Sequence, residues 1–538
     1  MIIRTLRRVL LGALLLAAPA GALLPAAPAS AETLRWAYQS DALSLDPHAN
    51  NETMTLRFLS NVYDPLVTRS RDHSIEPALA VSWTTEAPDR WRFVLRQGVT
   101  FQGGESFDAD DVVFSLARAA SPSSNVQSHT SGILRVEKVD SHTVDIVTKG
   151  PRATLLNELA NILILDEGWS RANNAVEVAN NNQGRTGFTT LNANGSGAYR
   201  VQSRAPDQRT VLLRNTGWWG KNEGNVDTVV FTPVRSDPTR MAALISGELD
   251  LVHPVPTQDI ARLRAVPGVQ VLEVPEIRTL YFGVNHSGET LLNGQPNPLR
   301  DLRVREAIYR AIDIEAVRRT VMRGAARPTG LLVGPGVEGY SQAEDRRLPY
   351  DPDGARRLLR EAGYPEGFAL QLRCPNDRYV NDEAICVAVS AMLARVGIRA
   401  TLLSQTKSVY FQRLLAERPD MYLQGWTPNS FDALEAFFYN LATRQDDNPT
   451  VAIGEGQGTF NAGRYRNPDV DALLKRIGQS IDRDERRKLI NEVHTIFRRD
   501  IAYVPLHQQV IVWAARRGVT ATPLADDTVN LRWITVTK

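Results

Sequence analysis

The chain has 538 residues, 43% of them hydrophobic, with 62 basic residues set against 60 acidic ones. At ~100–200 residues per domain that length supports two or more hydrophobic cores. The near-balance of charge excludes the broad basic face that nucleic-acid or anionic-membrane binding requires.

At the N-terminus Arg4, Arg7 and Arg8 precede an apolar run from Val9 to Ala18, and Ala29-Ser30-Ala31 supplies small residues at the positions a signal peptidase reads. The pattern predicts export and cleavage before Glu32. Pro19, Gly21, Pro25 and Pro28 argue against an uncleaved spanning helix. No later segment approaches ~18 consecutive apolar residues, and no cysteine stands at the cleavage site to accept a lipid. Removing residues 1–31 leaves 59 basic and 60 acidic residues, a net charge of −1.

Strands and helices alternate along the rest. Val226 to Val234 reads as a buried strand, and Asp237-Pro238 opens a helix carrying Met241, Leu244 and Ile245 that Gly247 ends. Leu249 to Val252 is the next strand, Thr257 to Arg264 the next helix, and Val269 to Val274 a further strand. After Tyr281-Phe282-Gly283-Val284-Asn285, read as a separate strand, comes a Gly/Asn/Pro-rich loop. An amphipathic helix with Val304, Ile308, Ala311 and Ile312 at helical spacing follows. Asp313 caps its successor, which ends at Gly324, and Asp351-Pro352 starts a helix that stops at Gly363. Ala384 to Val396 is helical, Ile398 to Leu403 extended, and Asp482 with Glu485 opens a capped helix near the end. Val510 to Ala514 and Leu531 to Thr537 read as strands. This alternation predicts sheets covered by helices.

Several motifs carry no chemistry. Gly334-Pro335-Gly336-Val337-Glu338-Gly339 fits a dinucleotide fingerprint by letter but lacks the flanking strand and helix that hold a pyrophosphate, so it reads as a surface loop. Gly454 to Gly458 reads as a flexible loop for the same reason. Asp110-Asp111 before Val112-Val113-Phe114 suits the positive end of a helix better than acid–base work. There is no Gly-x-Ser-x-Gly, Walker loop, His-Glu-x-x-His or Cys-x-x-Cys, and the eight histidines are scattered. No enzyme activity and no cofactor are expected. A hydrolase is the rival from another class, since folding can bring distant groups together.

A more specific signal lies in the order of several phrases. Leu45-Asp46-Pro47-His48, Asn61-Val62-Tyr63-Asp64-Pro65-Leu66-Val67, Glu76-Pro77-Ala78-Leu79-Ala80, Trp91-Arg92-Phe93 and Phe107-Asp108-Ala109-Asp110-Asp111-Val112-Val113-Phe114-Ser115-Leu116 succeed one another, with Asn194-Gly195-Ser196-Gly197-Ala198-Tyr199 and Leu299-Arg300-Asp301-Leu302-Arg303 further on. This series resembles family 5 of the bacterial extracellular solute-binding proteins, the dipeptide-, oligopeptide- and nickel-binding type. The resemblance implies an α/β, two-lobed periplasmic binding protein fold, class II, of the large peptide-binding type with an extra subdomain. Lobe I would comprise residues 32–282 plus 505–538, with an insert at about 64–192, and lobe II residues 283–504. It also implies a periplasmic monomer that delivers a small, peptide-like solute to an ABC permease in the inner membrane. A non-peptide cargo, such as an opine, a metal chelate or another small carboxylate, is the alternative within the same fold.

Two segments are candidate ligand contacts. Cys374-Pro375-Asn376-Asp377-Arg378-Tyr379 joins the predicted strand Phe368 to Arg373 to the helix after Asn381, where an α/β sheet presents groups to a cleft. Arg378 matches by position the arginine that holds a ligand's terminal carboxylate in peptide-binding relatives, through paired hydrogen bonds. Its loop carries the only two cysteines, Cys374 and Cys386: either a staple, as an oxidising compartment favours, or two buried thiols. The second segment is Gln424-Gly425-Trp426-Thr427-Pro428-Asn429-Ser430-Phe431-Asp432. Trp426 either walls in the ligand or fills the core. Asn429 stands where peptide binders carry an aspartate for the ligand's free amine, and Asp432 is the nearest acid. An amide accepts from an ammonium without the charge that strengthens the bond.

Overall fold

The computed structural model describes residues 32–179, 186–447, 453 and 456–537. The predicted export signal lies outside the described residues, as do Gly454 and Glu455 of the glycine-rich loop. Among the described residues no helix is long and apolar enough to cross a membrane.

Two long antiparallel strands, Val269–Val284 and Tyr503–Arg516, form the spine of an eleven-stranded sheet. Residues 269–275 pair with residues 510–516, and residues 279–283 pair with residues 503–508; the ladder breaks between Pro275 and Thr279. On one side of this spine lie Leu251–Val252, Glu32–Tyr38, Val226–Pro233, Arg209–Arg214 and Tyr199–Ala205. Met421–Trp426, Phe368–Pro375 and Ile398–Gln405 lie on the other. A separate four-stranded antiparallel sheet, Ala80–Ala87, Arg90–Leu95, Thr143–Thr148 and Ile133–Asp140, has its own apolar core around Phe93, Phe101 and Ile146.

The element boundaries follow local chemistry. Ser236 accepts from Thr239 N, Pro238 sits in the first turn, and Gly247 closes the helix Asp237–Ser246 at φ 86°, a left-handed conformation that glycine adopts without a Cβ penalty. Asp482 accepts from Glu485 N at 2.8 Å to open Arg483–Asp500. Trp36 of Glu32–Tyr38 packs against Phe231 and Phe58, at centroid separations of 4.7 and 5.9 Å. That places one apolar face of the sheet against the helix Thr53–Leu59.

Two sequence expectations are corrected. The strands read separately at Val269 to Val274 and Tyr281 to Asn285 are one; Pro275, Glu276 and Arg278 broke the apolar pattern because the ladder itself bulges there. Leu531 to Thr537 is a short 3₁₀ turn, Leu531–Trp533, followed by the two-residue strand Thr535–Val536, which pairs with Val519–Thr520. Asn225 satisfies both backbone groups of Val536, so the segment needs no place in the main sheet. The acids of Asp110-Asp111 do stand at the start of the helix Ala109–Ala119: Asp108 is the cap and accepts from Asp110 N, while the Asp111 carboxylate accepts from Asp108 N. Asp111 also accepts from Glu167 N, and its burial pushes its pKa up to about 7.

Candidate functional site

Where the spine ladder breaks there is an ion pair: Arg278 Nη1 lies 2.8 Å from a Glu276 carboxylate oxygen, with both side chains largely buried. Glu276 is held above the ordinary carboxylate range by burial, opposed by the cations Arg278 and Arg378. Arg378, in the loop after Phe368–Pro375, is exposed. Desolvation and the nearby Arg278 cation draw its pKa below the ordinary guanidinium value, while the Tyr379 hydroxyl and Glu276 oppose the shift. The break in the spine and the loop therefore converge on one cluster of two cations and one anion.

That loop is firmly tied. Cys374, at the end of the strand, is bonded to Cys386 in the helix Asp382–Ala394, with Cα atoms 6.5 Å apart. Asp382, only 3% exposed, accepts the N–H groups of Arg378 and Tyr379 at 3.0 Å each and of Glu383 at 2.9 Å. Asn376 N donates to Gln405 O, and Lys407 N to Asp377 Oδ1. The Arg378 guanidinium lies 5.1 Å from the centroid of the Tyr379 ring. Gly425 N donates to the Tyr379 hydroxyl at 2.9 Å, joining this loop to the strand that leads into Trp426. A Cβ on Gly425 would lie 2.9 Å from Tyr379 Cε1 and 3.2 Å from Arg278 Cδ, so glycine is what allows the strand, the loop and the ion pair to close up.

The second predicted segment leaves the same strand. Trp426 is half-buried, packed on Phe460 and Tyr439 at centroid distances of 4.9 and 5.3 Å, with its Nε1 unpartnered among the described residues. The ring thus joins the edge of the apolar cluster on that side of the spine and also remains partly open. Asn429 is exposed. The Glu435 carboxylate accepts from Asn429 N at 3.1 Å and Ser430 N at 2.6 Å, and burial holds that carboxyl above its usual range. Asp432 differs from its neighbours: at 2% exposure it caps the helix Ala433–Asn440 through Leu434 N and pairs with Arg486 at 2.6 Å. Its carboxylate is engaged inside the protein and supports the loop from behind.

Sequence reasoning passed over Glu276, Arg278 and Asp382. Two of them carried a signal, a Glu-x-Arg interruption in a strand; Asp382 was hidden as one acid among several at a helix start. Among the described residues no group of histidine, cysteine and carboxylate side chains could hold a metal ion.

Residues 74–448 match the family model for bacterial extracellular solute-binding proteins, family 5. The chain belongs to this family. The solute-binding protein is 27% identical over 503 residues to the glutathione-binding protein GsiB of Salmonella paratyphi A, covering 91% of this chain and 92% of that one. Its fold superposes on HbpA2 from Haemophilus parasuis with a TM-score of 0.81 and 23% identity, over 94% of this chain and all of the other. It also matches the ABC transporter-associated periplasmic binding protein DppA of Helicobacter pylori, solved with the peptide STSA, at a TM-score of 0.70 and 23% identity, over 94% and 98% of the two chains. The family, whose members are binding proteins, gives this solute-binding protein a two-lobed periplasmic binding fold and the role of solute capture for an ABC importer.

Proposed function

We propose that the protein binds a small peptide-like solute bearing a carboxylate, and that Arg378 is the group that receives it. The observation that carries this reading is Arg378 itself: an exposed residue, fixed by Asp382 at its backbone, and crowded by the Arg278 cation, which Glu276 and Asp382 offset. An incoming carboxylate would relieve that repulsion through charge-assisted hydrogen bonds. Trp426 forms a wall of the site, and Asn429 offers an uncharged acceptor to the other end of the solute. Asp432 holds the loop without touching the cargo.

In this reading the spine strands Val269–Val284 and Tyr503–Arg516, which cross near Phe282 and Pro505, act as the hinge between a lobe I of residues 32–282 plus 505–538 and a lobe II of residues 283–504. Solute touching both lobes shifts the population toward the closed form. The mature protein would begin at Glu32, work as a periplasmic monomer without enzymatic activity, and hand its cargo to an inner-membrane permease. An affinity near micromolar, ~ −8 kcal/mol, suits a carrier that must release what it carries.

The experiment is a thermal-shift screen of di- to pentapeptides, glutathione, opines and nickel chelates, because a ligand that binds only the native state raises the melting temperature. Glutathione belongs in the set because a relative is named for it. Stabilisation by peptides that disappears on amidation of their C-terminus supports the reading. Stabilisation by opines or chelates alone refutes the peptide class and favours the non-peptide alternative, for which Asn429 is the specific argument.

A further inference from the structure

A second cationic site lies beneath the loop that carries Trp426 and Asn429. A cavity of about 70 Å³ is lined by Arg57, Arg69, His73, Asp526 and Arg532 among others. It is well above the ~10–15 Å³ that admits one water, and it is sized for a small charged group rather than a whole peptide. Its roof belongs to the candidate site: Phe431 lies 3.9 Å from the Arg69 guanidinium and 4.8 Å from the His73 ring. Asn161 Nδ2 also donates to Asn429 O at 3.3 Å.

The lining holds three arginines and two carboxylates, and both carboxylates are already engaged. Arg57 pairs with Asp526 at 3.2 Å, and nearby Glu223 is taken by Arg71. Arg69 is bonded only to the neutral oxygens of Asn157, at 2.9 and 3.0 Å, and Arg532 lies against the rings of Trp533 and Trp218. Asp64, also at the cavity, is occupied by Ser196, Trp218 and Trp219, and burial pushes its pKa up. Thus Arg69 and Arg532 have no carboxylate in ion-pair contact among the described residues. Among the described residues, Arg57, Arg69 and Arg532 each bury an Nε without a hydrogen-bond partner, and His73, 8% exposed, buries Nδ1 in the same way. Burial and the adjacent Arg57 cation pull Arg69 down to about 9. Asp526 and Glu435 act on Arg69, and Asp64, Glu76 and Glu223 on Arg532, without ion-pair contact. A partly buried cation without a bonded counter-charge is costly, and an anion in the cavity would offset that cost.

We propose that this cavity is an anion subsite that takes a second carboxylate of the cargo, so that the preferred solute is an acidic peptide. The proposal rests on the reading of Arg378 as the first carboxylate anchor, and it gives Asn429 a purpose: a loop roofing a cationic cavity has no need of an acid for an amine. A free inorganic anion would answer to the same donors, so the test separates the two sources.

The mature protein and its Arg69→Gln, Arg532→Gln and Arg69→Lys variants are melted with sodium phosphate and with glutarate, using sodium chloride at equal ionic strength as control. The same four proteins then meet tripeptide pairs in which Glu replaces Gln at each position in turn, read by calorimetry. Expected are an anion-dependent rise in melting temperature that both Gln variants lose, and a preference for Glu peptides of about tenfold or more that falls to near unity in them. Arg69→Lys, which keeps the charge, should retain part of both effects and guards against a variant that merely misfolds. No anion effect in the parent, or one unchanged in the Gln variants, overturns the subsite. An anion effect lost in the variants without any Glu preference among bound peptides makes it a free-anion site and overturns the cargo assignment. If the anion effect behaves as expected but no peptide of either kind binds, the peptide reading fails and the anion subsite stands.

Discussion

Asp382→Ala should separate the order of the Arg378 loop from the charge it presents. The Asp382 carboxylate accepts three backbone N–H groups from a site that is 3% exposed. Hydrogen bonds to a charged acceptor contribute ~1.5–3 kcal/mol each, but they do not add, because the amides of the exposed residues Arg378 and Glu383 regain water. Tyr379, buried beside Gly425, does not have that relief. Loss of the acid also removes a negative charge from the first turn of Asp382–Ala394, worth ~0.3–1 kcal/mol. The expected destabilisation is therefore ~2–4 kcal/mol in urea unfolding at pH 7. Asp382→Asn, which keeps one acceptor oxygen, should lose about half as much. Calorimetry with the best ligand from the screen should show an affinity loss of about tenfold although Arg378 is untouched, since the loop must then be ordered at the expense of binding. A variant within ~0.5 kcal/mol of the parent would refute the reasoning, because that is the range of an uninvolved surface change.

Three further outcomes are expected. Arg378→Ala should weaken binding by ~2–5 kcal/mol, while Asn429→Asp should tighten it only for cargo with a free amine and weaken it otherwise; calorimetry of both settles the point. Unreduced, denatured protein should show no reactive thiols, and replacing Cys374 and Cys386 by Ser should cost ~3 kcal/mol in the chain-entropy treatment, measured by urea unfolding. His507 is wholly buried, and desolvation draws it down to about 3, so between that value and its unfolded pKa of ~6.5 the unfolded chain holds the extra proton. Stability consequently falls on acidification through this window, by up to ~1.4 kcal/mol per pH unit for this residue. His507→Leu should reduce the proton uptake on unfolding by about one, as read from urea midpoints between pH 7 and 5.

What the sequence disclosed depended on whether a residue's partners lie near it in the chain. Capped helices such as Asp237–Ser246 and Arg483–Asp500 were legible because Ser236, Pro238, Gly247 and Asp482 act within one turn of their own position. The ion pair of Glu276 and Arg278 looked like an interruption, because what makes it tolerable is a bulge opposite Gln508 and Val510, more than two hundred residues away. Asn429 was legible as a departure only against the family pattern. That Glu435 supports its backbone, and that Arg69 and His73 meet Phe431 beside it, required the folded arrangement. Asp432 shows the converse: its place near Trp426 suggested a contact with solute, whereas Arg486, far along the chain, already holds it.

The pairing of Val269–Val284 with Tyr503–Arg516 also governs when the molecule can fold. Met421–Trp426 pairs directly with Val269–Val284, but the half that begins at Leu251–Val252 joins the spine only through the late strand, so the two halves are not united until residues 503–516 have been synthesised. Contacts of such sequence separation must pay the loop-closure entropy before they stabilise anything, which slows folding. A nascent or truncated chain that stops short of Tyr503 therefore leaves the Val269–Val284 edge unpaired along its whole length and exposed to association with other chains. The strand Tyr503–Arg516 thus acts as a timer, withholding the united sheet until it has itself been made.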